Sequence, residues 1–253
     1  MENRDFSRAY DYIRGRILNG ELASGQALLP DVLATQIGLS RTPVRDALRQ
    51  LAADGLVTNR PRIGASVRSL NLNEYREVCG LRMALEIFAA GLAARLRTEA
   101  DLKEMASAHE SIRNEIERLV SAADYKSFPL GTTSEHLVRE DIRFHMAITN
   151  AARNDLIKKE IIRHQLINRI ITAAHRIDYK QPAPRTQAEV VSLIRSTASE
   201  HQEILDAIIR QDVAAARDAM ERALQEDVDS VLHRMAGAES RRLEDELAGQ
   251  RAR

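Results

Sequence analysis

The segment Gly38-Leu39-Ser40-Arg41-Thr42-Pro43-Val44-Arg45-Asp46-Ala47-Leu48-Arg49 constrains the fold of this chain more than any other. Val44, Ala47, Leu48 and Leu51 fall at i, i+3, i+4 and i+7 and make one apolar helical face. Pro43 suits the first turn of that helix, where its missing N–H costs little. Ser40 or Thr42 can cap it. Thr42, Arg45 and Arg49 lie on the opposite side, with Arg41 at the helix start. A helix with a buried back and an arginine front fits the DNA major groove, where a guanidinium can pair with guanine O6 and N7. A solvated basic face on an ordinary surface helix has the same spacing, so the flanking sequence must decide.

Upstream, Ala9, Tyr10, Ile13, Ile17 and Leu18 give a first amphipathic helix, and Gly20, Ser24 and Gly25 mark a loop. Pro30 to Ile37 makes a short second helix with Leu33, Ala34 and Ile37 inward, and Gly38 supplies the turn. Downstream, Asp54-Gly55 is a C-cap signal. Val57-Thr58-Asn59 and Ala65-Ser66-Val67-Arg68 read as two short strands around Arg60-Pro61-Arg62-Ile63-Gly64. Three helices and a basic hairpin make a winged helix-turn-helix over residues 1–68.

This segment resembles the GntR family of bacterial transcription regulators. The resemblance rests on Leu33-Ala34, the run from Gly38 through Leu48, Leu51, Gly55-Leu56-Val57 and Gly64-Ala65-Ser66-Val67. It implies that Arg41, Thr42, Arg45 and Arg49 contact bases or phosphates, with Arg62 and Gly64 placing the wing tip in the minor groove. The family often opens its second helix with a Glu-Arg pair whose arginine touches DNA. Here Pro30 and Asp31 stand there, so that contact is expected to be absent and Asp31 to cap the helix.

Charge agrees with a DNA-binding head. Residues 1–70 hold ten arginines and no lysine against seven acids, a surplus of three positive charges in a chain whose net charge is zero. Trp is absent and aromatics make up 4%, so the core must be aliphatic. The single Cys79 excludes an intramolecular disulfide and reads as a buried thiol on an apolar helical face. No apolar run is long enough to span a membrane, and the N-terminus lacks a signal-peptide core. The expected location is cytoplasmic, with no membrane partner.

Ser69 to Asn73 reads as a linker, residues 74–236 as a helical domain and residues 237–253 as a charged tail, frayed from Ser240. Val78, Leu81, Leu85, Phe88, Leu92 and Leu96 mark one helix, and Leu102 to about Ala122 a second. Ser127-Phe128-Pro129-Leu130-Gly131 is a break before a third helix, Glu135 to Asn150. Asp155 to His175 makes a fourth, and Gln181-Pro182-Ala183-Pro184 a loop. Val190 to Gln211 and Val213 to about Met235 are the last two. Helices joined mainly by short loops imply an antiparallel bundle. The fold class is therefore mainly α: a winged helix-turn-helix followed by an all-helical bundle.

Within the third helix, Asp141 and His145 share a face at i and i+4, a two-ligand clamp for a metal, although a surface hydrogen bond has the same spacing. His201 could add a third ligand. Arg82 and Glu86 share a face on the first bundle helix, either as a plain ion pair or with Arg82 as a bidentate carboxylate clamp.

The bundle resembles the FCD ligand-binding domain that follows the head in one GntR subfamily. The matching segments are Leu81 to Glu86, Asp141 to His145 with Asn150, and Glu200-His201 through Asp212, Ala216 and Met220. The resemblance implies one divalent metal per protomer, zinc or nickel, held by Asp141, His145 and His201. It also implies a small organic acid effector against the metal, Arg82 and Asn150. The fourth ligand of the family pattern falls at Ala223, which cannot ligate. Either three ligands suffice, or polar side chains bind the effector without metal. His164 and His175 match no family ligand.

The function implied is a homodimeric, ligand-responsive regulator that binds a pseudo-palindromic double-stranded operator, a repressor released by its effector. Two other classes compete. A metal-dependent hydrolase or lyase could use Asp141, His145 and His201 to activate water. It leaves the first seventy residues unexplained, and the sequence has no phosphate loop, nucleophile elbow or His-Glu-x-x-His helix. An effector-independent architectural DNA-binding protein would leave the Asp-His pair without a role.

Overall fold

The computed structural model describes residues 2–60, 64–121, 130–165 and 187–251. They fall into two compact units, one built on the chain up to Val78 and the other on Cys79–Ile161 with the helices up to Ser230.

The first unit contains α1 (Glu2–Leu18), α2 (Pro30–Ile37) and α3 (Arg41–Ala53). Its strands are β1 (Ala27–Leu28), β2 (Val57–Arg60) and β3 (Gly64–Val67). β3 lies between β1 and β2, antiparallel to both, with Val57 opposite Val67 and Arg60 opposite Gly64. The expected hairpin is thus the outer part of a three-stranded sheet. β1 was not foreseen, because two residues are too few to show alternation. Val44, Ala47, Leu48 and Leu51 of α3 are buried with Ile13 and Ile17 of α1 and Leu33 and Ile37 of α2. Gly38 ends α2 at φ 72°, in the left-handed region that a side chain disfavours. The Tyr10 hydroxyl donates to Asp54 Oδ2 at 2.7 Å and ties α1 to the end of α3.

The second unit is a helical bundle. Its elements are α4 (Leu72–Leu96), α5 (Glu99–Val120), α6 (Leu130–Ala151), α7 (residues 155–165), α8 (Gln187–Ile209) and α9 (Val213–Arg251). α4, α7 and α9 each run past its bounds. α5 packs against α6 and α8. The core joins Ala90, Ala93 and Ala94 of α4, Met105 of α5, Phe144 and Ile148 of α6, Ile204 and Ile208 of α8, and Met220 and Leu224 of α9.

Several boundaries differ from expectation. Leu72 and Asn73, read as linker, are helical. Asn71 Oδ1 accepts from the Glu74 N–H and Glu74 Oε2 from the Asn71 N–H, each at 2.9 Å, so α4 starts on a reciprocal cap. α5 likewise starts at Glu99, behind a box formed by Thr98 and Asp101. Leu130 and Gly131, read as part of a break, already belong to α6. The tail from Ser240, read as frayed, continues α9 to Arg251. Its Glu, Arg, Leu and Ala are strong helix formers, and that outweighs its charge. The expected loop at 181–184 and the end of the fourth helix, with His175, lie outside the described residues. Cys79 is buried and forms no disulfide, and His164 is buried on α7. No helix among the described residues is long and apolar enough to cross a membrane.

The stripe that marks α4 in the sequence is only partly its buried face. Leu81, Phe88 and Leu96 are 44–49% exposed, whereas Ala89, Ala90, Ala93 and Ala94 are buried. Alanines let neighbouring helices approach closely; Leu85 and Leu92 of the stripe are half-buried against Ala89 and Ile161, while Leu81, Phe88 and Leu96 stay outside.

Candidate nucleic-acid interface and metal centre

α3 presents Arg41, Thr42, Arg45 and Arg49 to solvent. Arg45 has no ion-pair partner among the described residues, and its guanidinium is free to engage a base edge or phosphate. Arg49 donates to Asp46 at 2.8 Å, an exposed pair worth little that DNA can displace. Arg41 pairs with Asp31. Asp31 therefore does not cap α2: Leu29 occupies the N-cap with no side-chain bond, and the carboxylate reaches across to α3. Ser40 holds the N-cap position of α3 by its backbone, again with no side-chain bond. Gly64 starts β3 at φ 99°, a conformation that favours glycine at the wing tip. Arg62 lies outside the described residues.

In the bundle, α6 and α8 bring Asp141, His145 and His201 together, with one ligand atom of each within 4.8 Å of the others. Asp141 Oδ1 is 3.2 Å from His201 Nε2 and 4.0 Å from His145 Nε2. Both imidazoles are buried, while the Asp141 side chain is 41% exposed. Phe144 stacks on His201 with ring centroids 4.0 Å apart and planes at 12°, which fixes that imidazole. Asn150, expected at the same site, is exposed near the end of α6, and its carbonyl accepts from the Arg153 guanidinium.

Behind the three residues lies a buried charge relay. His145 Nδ1 is 3.0 Å from Glu86 Oε2, close but outside good hydrogen-bond alignment. Arg82 Nε donates to Glu86 Oε1 at 2.7 Å, and Arg82 Nη1 donates to Asp227 Oδ2 at 3.0 Å. Arg82 and Glu86 are 7% and 2% exposed, so this is a buried ion pair. Burial alone would raise the Glu86 carboxyl. The Arg82 charge, followed by His145, overrides that and holds it at about 2. Asp141 follows the same pattern: burial pushes it up, but the hydrogen bond from His201 and the charges of His145 and His201 bring it to about 2. Burial lowers His201, whereas for His145 the Glu86 and Asp141 carboxylates outweigh burial and raise it. Glu200, beside His201, is pushed up to about 7 by burial and by its contact with Glu226.

A divalent ion suits this arrangement. Two imidazole nitrogens and a carboxylate oxygen converge, and Glu86 stands behind the far nitrogen of His145, as an orienting carboxylate does for a ligating histidine. Ala223, buried on α9, offers no ligand. The sequence signalled the pairs Asp141–His145 and Arg82–Glu86. It did not signal that Glu86 joins them, because that link depends on α4 meeting α6.

The family model described as FCD domain matches residues 77–226, and that described as bacterial regulatory proteins, gntR family, matches residues 6–67. The chain is 25% identical over 224 residues to the uncharacterized HTH-type transcriptional regulator YdhC of Bacillus subtilis (strain 168), covering 88% of this chain and 89% of that protein. It is 31% identical over 148 residues to a probable D-xylose utilization operon transcriptional repressor of Paenarthrobacter nicotinovorans, covering 58% of this chain and 59% of that protein. Its fold is similar to that of E. coli McbR/YncC, with a TM-score of 0.66 at 20% identity, covering 90% of this chain and 97% of that one. The FCD match alone takes in more than half of the chain, and the names of these relatives are those of regulators rather than enzymes. The chain belongs to the GntR family of bacterial regulatory proteins, DNA-binding transcription regulators, in the branch that carries an FCD domain.

Proposed function

We propose that this regulator is a cytoplasmic homodimeric repressor released when a small organic acid binds the bundle beside a divalent ion. The convergence of Asp141, His145 and His201 carries the reading. These residues would hold zinc or nickel, and the bound ion would supply positive charge for a carboxylate. Phe144 holds the His201 ring, and the Glu86 carboxylate stands 3.0 Å behind His145 Nδ1. The exposed Leu81, Phe88 and Leu96 of α4 supply an apolar face for a second copy. Two heads would then meet the two half-sites of a pseudo-palindrome. Release requires that the effector bind the two arrangements of the dimer unequally.

The test uses DNA selected from a random pool by the full-length protein. In an anisotropy titration Arg45→Ala should lose about 1–3 kcal/mol of specific binding. Unchanged affinity removes the base contact. Adding zinc and then a panel of small carboxylates should weaken the wild-type complex. If it is indifferent to every addition, with the acids shown to bind, effector release is wrong.

A further inference from the structure

A cavity of about 390 Å³ opens between α5 and α8, lined by His109, Arg113, Glu117, Arg195, Ser199 and Gln202, with Ile116 and Ala198 below. Pockets of this size take small metabolites. His109 is 5% exposed; the Gln202 side chain stands beside its ring, and neither ring nitrogen makes a well-aligned hydrogen bond. A buried imidazole this poorly satisfied is costly, so a ligand in the cavity that bonded to it would recover part of that cost. Both guanidiniums are also available. Arg113 has only a 3.8 Å contact with Glu110, and Arg195 has no ion pair among the described residues. In contrast, Arg82 is buried and already engaged by Glu86 and Asp227.

We infer that this cavity is an anion site of its own, apart from Asp141, His145 and His201, which takes a small carboxylate bearing hydroxyl groups. Two arginines against one Glu117 leave the lining with a single positive charge, which matches one carboxylate. A guanidinium fork accepts that group in bidentate fashion. Glu117 accepts from a ligand hydroxyl, and Ser199, Gln202 and His109 offer the remaining donors and acceptors. Gln202 directly follows His201, so occupancy of the cavity bears on the α8 residue that also serves the metal cluster.

The inference goes beyond the proposed function, and its test separates the two. Full-length protein is freed of metal with a chelator and titrated calorimetrically with gluconate, succinate and inorganic phosphate. Gluconate should bind the metal-free protein best of the three. Arg113→Gln/Arg195→Gln should weaken it ten-fold or more with an unchanged melting temperature. His109→Ala should weaken it several-fold, and His109→Gln less. The inference is overturned if no probe binds, if phosphate binds more tightly than gluconate, or if gluconate binding survives the double arginine change. It is also overturned if gluconate binding vanishes with the metal. That last result would leave the metal-centred effector reading standing.

Discussion

Arg82→Met should destabilise the bundle by about 3 kcal/mol, the usual cost of leaving a buried charge without its partner. The pair is 7% and 2% exposed with 2.7 Å between Nε and Oε1, so water cannot replace the guanidinium. Methionine fills much of the volume and leaves Glu86 facing only His145, at 3.0 Å. A proton on His145 recovers part of the loss, which puts the cost toward the lower end of the usual range. Asp227 is 45% exposed and rehydrates without penalty. Under urea, with a slope of about 3 kcal/mol per molar, the midpoint should fall by about 1 M. Arg82→Met/Glu86→Leu should recover most of that fall, because replacing both partners with apolar groups removes the desolvated charge. A single variant that unfolds within about 0.2 M of the wild type, or a double variant that falls as far as the single, would refute the claim that burial makes this pair costly to break.

Three further outcomes follow from the same geometry. Glu86→Gln should weaken zinc binding about 10–100-fold in competition with a chromophoric chelator, since the orienting charge behind His145 is lost; equal affinity would remove Glu86 from that role. Tyr10 is pushed up to about 12 by burial and by Asp54, so the folded head keeps a proton that the unfolded chain releases near its ordinary value of about 10. The stability this contributes is complete below about pH 10 and is lost as the pH rises toward 12. The gap in urea midpoint between the wild type and Tyr10→Phe should close over that window, and a constant gap would contradict the assignment. Finally, Leu81→Glu/Phe88→Glu should be monomeric by sedimentation with its helix content intact, and a persistent dimer would put the interface elsewhere.

The head was largely legible because its information is local. One helical period separates Val44, Ala47, Leu48 and Leu51 from Arg41, Thr42, Arg45 and Arg49, and the first set is buried and the second exposed. Asp31 was misread because its carboxylate is used across the turn, by Arg41, rather than at its own helix end. In the bundle, periodicity marks the helices but not their buried faces. α4 is apolar on more than one side, and periodicity cannot tell an alanine face that packs internally from a leucine-phenylalanine face left for another surface. The Arg82–Glu86 spacing was visible, but its burial was not, and Asp227 joins the pair from 145 positions away. His109 carried no signal at all, since a lone histidine on a helix acquires meaning only from the cavity it faces.

The missing fourth histidine is best understood through charge. At Ala223, α9 contributes a methyl group, and four residues later on the same face it contributes Asp227, which reaches the cluster through Arg82. With the imidazoles neutral, as metal ligation requires, the carboxylates of Glu86, Asp141 and Asp227 face one guanidinium and leave two negative charges, with Glu86 buried and Asp141 and Asp227 41% and 45% exposed. A fourth histidine would add a ligand but no charge. The carboxylate adds no ligand, but its charge, screened by water and by Arg82, adds to the negative potential that a divalent ion would meet. Electrostatic attraction can thus offset part of what a lost bond would cost. Three ligands also leave a metal with an open position, which a closed four-ligand protein site would not. The substitution at Ala223 therefore fits an ion whose remaining coordination belongs to an incoming anion better than it fits a purely structural ion.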